Sequence, residues 1–370
     1  MEFVNLILFF IYTFGIGFTI SSILKLKYKD YLEITFINIG LGLAGFLVVG
    51  VLLNLLHIPL DWKIFLLISL IGPLYWASKN YNKIFTWNFN FPKKIRMSNI
   101  FGLIVLALFL FTVLMYSKGA FSYPWLEDGD PWTHLMGVKY ISEEKTVFEP
   151  VEGIDYFFYI DPYPPGFDML LGVMNQTSGD IVWTLKFFNI LIISLAIPFS
   201  YFFFGKLTKS SSKALIGTFI LAVLPSFMSH FIWAHSLAIT LVPLIFYAAL
   251  SIEEDHKWSY AAALFLGSST LVQPTQPIKF IALFIIFSLV KSFSNKGIWK
   301  QYTKVLFIGG ILGLLWWGPL ILQSGGLIDT AENFRGSSIY VEDKRVEKPY
   351  YGSLGTATRF YHWQDFFLLD

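Results

Sequence analysis

A chain of 370 residues that is 55% hydrophobic and only 14% charged is not an ordinary soluble domain, in which about a quarter of residues are charged. The formal net charge of +2 leaves no electrostatic footprint for nucleic acid. The absence of Cys excludes disulfides, thiolate metal sites and a Cys nucleophile.

The apolar residues fall into long runs, and the mean hydropathy is +0.60. That pattern predicts an all-α polytopic membrane protein. About ten spanning segments are expected, near 3–24, 34–56, 62–78, 100–117, 183–204, 214–229, 231–250, 259–272, 278–292 and 305–322. The first lacks a basic flank and a small-residue cleavage site, so it reads as a retained helix rather than a signal peptide. The turn Gln273-Pro274-Thr275-Gln276-Pro277 leaves open whether 259–272 and 278–292 are two spans or one re-entrant feature.

Basic residues set the sidedness. Lys25, Lys27 and Lys29 follow the first segment, and Lys79, Lys83, Lys93, Lys94 and Arg96 follow the third. Lys206, Lys209 and Lys213 follow the fifth, and Lys291, Lys296, Lys300 and Lys304 follow the ninth. These alternate loops are expected in the cytoplasm. The acidic loop Glu253-Glu254-Asp255-His256-Lys257 is discordant but short.

The opposite side receives a loop over 118–182, with eleven acids against three Lys, and a polar tail over 323–370. The aromatic residues of the loop argue for order, and the chain's sequon, Asn175-Gln176-Thr177, falls within it. No internal repeat is evident. Three regions are expected: N-terminal helices over 1–99, a core over 100–322 and the tail. The tail ends without a closing helix, as expected if the natural protein continues.

Chemistry concentrates in Glu127-Asp128-Gly129-Asp130-Pro131-Trp132, directly after an apolar segment. Such carboxylates hold a divalent cation, take a proton, or face water. Pro131 suits a first helical turn with Asp130 as N-cap. Trp132, Leu135, Met136 and Tyr140 then share the apolar face of an amphipathic helix lying on the membrane. Gly129 lets Asp128 and Asp130 turn toward a common point, and Glu127 is expected to be solvated. Hard oxygen ligands would select magnesium, manganese or calcium over zinc, and magnesium or manganese would suit a site handling phosphate esters.

Asp161-Pro162-Tyr163-Pro164-Pro165-Gly166-Phe167-Asp168 is a rigid entry to a helix, and it holds Asp161 and Asp168 as candidate substrate ligands or as solvated acids. His230 and His235 lie five residues apart on the same outer side, poor spacing for one metal on a helix. Each is a candidate substrate contact or a hydrogen-bonded interfacial His. In the tail, Arg335, Lys344, Arg345, Lys348 and Arg359 supply cations, with Arg335 a candidate phosphate ligand.

The order of these motifs over roughly 100–322 resembles the GT-C superfamily of membrane glycosyltransferases. In that superfamily an outer acidic motif follows the first core helix, then come an interfacial helix and a Pro-Pro element. Asp130-Pro131-Trp132 looks like the Asp-Pro-Trp element of the oligosaccharyltransferase catalytic subunit. Pro164-Pro165-Gly166 looks more like the Pro-Pro element of protein mannosyltransferases. The resemblance implies transfer of a sugar from a polyprenyl-phosphate or pyrophosphate carrier to a protein, glycan or lipid acceptor. It implies a membrane-lipid environment and an extracytoplasmic site, expected in the plasma membrane of a prokaryote. Asp130 and Asp128 would be catalytic and, with His230, would hold magnesium or manganese. Three features depart from the pattern: extra helices before the core, no Trp-Trp-Asp-Tyr-Gly sequence, and no carboxylate in the second metal motif. The rival classes are a transporter or flippase of a lipid-linked or anionic solute, which would carry charges at mid-membrane, and a non-enzymatic scaffold.

Overall fold

The computed structural model describes residues 2–80, 97–148, 163–224, 230–295, 297–323 and 325–326. These form twelve helices and no strand. In chain order they are α1 (Glu2–Leu24), α2 (Tyr31–Leu55), α3 (Trp62–Lys79), α4 (Met97–Ala120), α5 (Gly129–Glu144) and α6 (Gly166–Asn175). Then come α7 (Ile181–Thr208), α8 (Ser211–Val223), α9 (His235–Ser251), α10 (Trp258–Ser269), α11 (Gln276–Ser294) and α12 (Trp299–Gln323). Met1–Trp317 forms one compact unit, and a second begins at Gly318.

Six helices are long and apolar enough to cross a membrane: α1, α2, α7, α11 and most of α4 and α12. The chain is accordingly an integral membrane protein. The other expected segments are helical but shorter or less apolar. The 12 residues of α10 extend only about 18 Å, well short of a hydrocarbon core of about 30 Å. The Pro-rich turn separates α10 from a full-length α11, so the two are distinct helices.

Burial separates centre from rim. Over their most apolar stretch, α2 and α7 are 83% buried, whereas α11 is 17% buried. The rim helices turn Leu110, Phe111 and Leu114 of α4, and Leu289, Val290 and Phe293 of α11, outward. That surface suits lipid. At the centre, α1 and α2 cross closely because Gly42 lies on the Thr13 backbone, where a Cβ would collide. Close approach through small residues replaces the hydrophobic drive that lipid removes.

The helix ends sort into two groups. At the lysine-bearing end, Lys206 pairs with Glu254 at 2.7 Å and Lys291 with Glu253 at 2.8 Å. The discordant acidic loop is therefore neutralised by lysines from the neighbouring basic segments. At the acidic end, Lys145 pairs with Asp61 at 2.6 Å, and Gln176 donates to Leu60 O at 2.6 Å. Asn54 Oδ1 accepts from Val147 N–H at 2.7 Å. These bonds fasten the turn between α2 and α3 to the long loop. The sequon closes α6, where Asn175 donates to Ser142 Oγ at 3.1 Å.

Candidate functional site

Helix α5 begins two residues earlier than the sequence suggests. Asp128, with extended backbone at φ −153°, is the N-cap and accepts from Gly129 N–H at 2.6 Å. Asp130 instead lies inside the first turn, where the helix dipole favours a negative charge. Pro131 tolerates the shift because N–H groups in the first turn have no helical acceptor to lose.

The buried face of α5 also differs from expectation. His134, Gly137, Val138, Tyr140 and Ile141 are buried, while Trp132 and Met136 are exposed. Helix α6 covers that face. Tyr140 therefore leaves the outward apolar stripe that sequence periodicity assigned to it.

His134 is the centre of this contact, with only 1% of its surface exposed. Its Nδ1 lies 2.7 Å from Asp168 Oδ1 on α6. Its Nε2 accepts from the Ala234 backbone N–H at 3.3 Å. An N–H facing Nε2 assigns the ring proton to Nδ1, which donates to the Asp168 carboxylate. Burial pushes the Asp168 carboxyl up, and its interaction with His134 offsets only part of that rise. Phe167 and Tyr163 enclose the imidazole edge-on at 5.1 and 6.2 Å. Gly137 makes room for the pair, since a Cβ there would press on Asp168 Oδ2. The entry to α6 is held separately, by Gly166 N–H donating to Leu271 O at 2.7 Å.

The ring thus joins three segments. Asp130 lies one turn before His134, and Ala234 immediately precedes His235, the first residue of α9. His235 is itself packed on Trp233 at 4.5 Å. The His134–Ala234 hydrogen bond therefore links α5, whose first turn carries Asp130, to the start of α9.

A second constellation lies beside α7. His230 Nε2 is 2.8 Å from Glu127 Oε1 and 3.4 Å from the Tyr123 hydroxyl. Glu127 is exposed, as expected, and also paired. Lys186 donates to Tyr123 O at 2.7 Å and stands over the Tyr123 ring at 4.7 Å. Asn189 donates to the carbonyls of His230 and Phe231 at 3.1 and 3.0 Å. Two polar residues of α7 therefore hold the segments that lead into α5 and α9.

The expected site residues part company here. Asp130 lies in the first turn of α5 and His235 at the start of α9, whereas Asp168 is only 2% exposed and faces His134 rather than an open cleft. Asp128 caps α5, and His230 faces Glu127. Among the described residues no three His, Asp or Glu side chains gather to hold a metal, so Asp128, Asp130 and His230 do not fit a shared divalent centre. Asp161 and Arg335 lie outside the described residues. Sequence reasoning passed over His134. The spacing 134, 137, 138, 141 is a helical stripe that marks His134 as inward-facing.

With known protein families, curated proteins and solved structures, the chain shows no match.

Proposed function

We propose that this protein is a membrane glycosyltransferase, moving a sugar from a polyprenyl-phosphate or pyrophosphate carrier to an acceptor on the extracytoplasmic side. The observation that carries the reading is the place of Asp130 in the first turn of α5, one turn before His134, whose ring binds the Ala234 N–H at the start of α9. It supplies an acid–base group at the end of an apolar bundle, as removal of an acceptor proton requires. The motif order around Asp130-Pro131-Trp132 and Pro164-Pro165 supports the same class.

In this reading, α3, α8, α9 and α10 pack with the six long helices in one bundle, with α10 too short to cross on its own. Alternating charge puts the lysine-bearing end in the cytoplasm, and α5 lies at the outer interface. The acceptor atom attacks the anomeric carbon and gives its proton to Asp130. The bond between that carbon and the carrier oxygen breaks, and its electron pair leaves on the phosphate. No step passes through a metal.

The test is transfer from synthetic polyprenyl-phosphate and pyrophosphate sugars by the full-length protein in nanodiscs. Asp130→Asn, with folding confirmed, is expected to lose at least about 100-fold in rate. An undiminished rate removes Asp130 from the chemistry. No transfer by the wild type with any donor, together with movement of the lipid across the bilayer, would establish the flippase instead.

A further inference from the structure

The lysine-bearing end holds an open cleft of about 480 Å³, far from the acidic end and unused by the proposed reaction. Its wall is built from the start of α2 (Lys29, Asp30, Glu33), the end of α7 (Tyr201, Phe202, Lys206) and the link into α8 (Lys209, Ser210), with Glu254 at the edge. Lys209 adopts the left-handed conformation, φ 53°, which turns the chain directly from α7 into α8 and puts its side chain at the rim.

The charges are unevenly engaged. Asp30 accepts from Glu33 N–H at 2.9 Å and so caps α2. Both oxygens of Glu33 are occupied, one by the Tyr247 hydroxyl at 2.8 Å and the other by Lys29 N–H at 2.5 Å. These two acids face the positive end of α2, which offsets them. Glu254 is bonded directly by Lys206, which keeps only 9% of its side chain exposed. The lining thus sets three Lys against three acids, but Asp30 and Glu33 are spent on the end of α2 and Glu254 on Lys206, so Lys29 and Lys209 face the cleft beside Phe202 and Tyr201.

We propose that this cleft binds a phosphate group through Lys29 and Lys209, with Lys206 held ready by Glu254. Cationic pockets between helix ends at a membrane surface suit the phosphodiester of an anionic phospholipid, and the aromatic wall suits the start of its acyl chains. A free phosphate ion offers the same chemistry without the chains. The proposal does not depend on the sugar-transfer reading.

The test uses the purified full-length protein. Native mass spectrometry reads retained phosphatidylglycerol against phosphatidylcholine, and thermal unfolding with added inorganic phosphate reads the free ion. Selective retention of phosphatidylglycerol, weakened about thirtyfold in Lys29→Gln/Lys209→Gln, restored in Lys29→Arg/Lys209→Arg and unaltered in Lys257→Gln, is the expected result. Stabilisation by inorganic phosphate, lost in the same double Gln variant, would assign the cleft to the free ion. The proposal is overturned if neither probe binds, or if the double Gln variant and Lys257→Gln behave alike.

Discussion

The imidazole Nδ1 of His134 lies 2.7 Å from Asp168 Oδ1, with both side chains nearly sealed from solvent. Two helices of the long loop, α5 and α6, are thereby joined by a polar bond inside an apolar contact. A lone carboxylate in that position would be costly, and so would a lone imidazole.

Removing one partner exposes that cost. Asp168→Ala is expected to lower stability by about 3 kcal/mol, because His134 loses its acceptor and a cavity opens. Asp168→Asn keeps an acceptor oxygen toward Nδ1 and should lose about 1 kcal/mol. Thermal unfolding in detergent, calibrated by a denaturant series, measures both. Equal losses would show that the hydrogen bond to His134 is not what matters.

Gly137 tests the same contact by crowding. A methyl group there meets Asp168 Oδ2, so Gly137→Ala is expected to destabilise by about 2 kcal/mol despite the better helix propensity of Ala. Unfolding of this variant beside Gly129→Ala, where a Cβ meets nothing within 4 Å, isolates the packing effect. A stabilised Gly137→Ala would contradict the geometry.

Asp61 gives a pH dependence of known sign. Burial works against its carboxylate, but the Lys145 hydrogen bond, the Lys63 N–H and the two lysine charges outweigh it and hold the carboxyl below its ordinary 3.8. A depressed pKa contributes stability above 3.8 that is lost as pH falls through the folded-state value. Asp61→Asn should therefore be less stable than wild type at neutral pH, and the gap should close as the solution is acidified below about pH 4. Melting temperatures across that range give the answer, and a constant gap would refute it.

Sidedness is open to direct labelling, because the chain has no Cys. Glu144 and Lys257 are exposed, at the acidic and the lysine-bearing end respectively. Glu144→Cys is expected to react with a membrane-impermeant maleimide in intact cells, and Lys257→Cys only after permeabilisation. Labelling of both from one side would overturn the topology.

Much of the helical architecture was legible beforehand because membrane helices are written in long apolar runs, and a run reports its own length. The site was less legible. Asp130, His230 and His235 stood out as polar residues beside those runs, but their partners come from distant parts of the chain. Nothing local tells that Glu127 meets His230, 103 positions away by their numbers, or that Ala234 N–H meets His134.

The sequence by itself determined that this is a helical membrane protein with acids gathered at one end and lysines at the other. Hydrophobic length and charge asymmetry are local quantities, and the bilayer imposes them segment by segment. Only the tertiary structure decided which carboxylate caps, which is sealed against His134, and which pairs with His230. Those roles depend on helix faces meeting across the bundle, and one turn of helix or two residues of capping register is enough to exchange them.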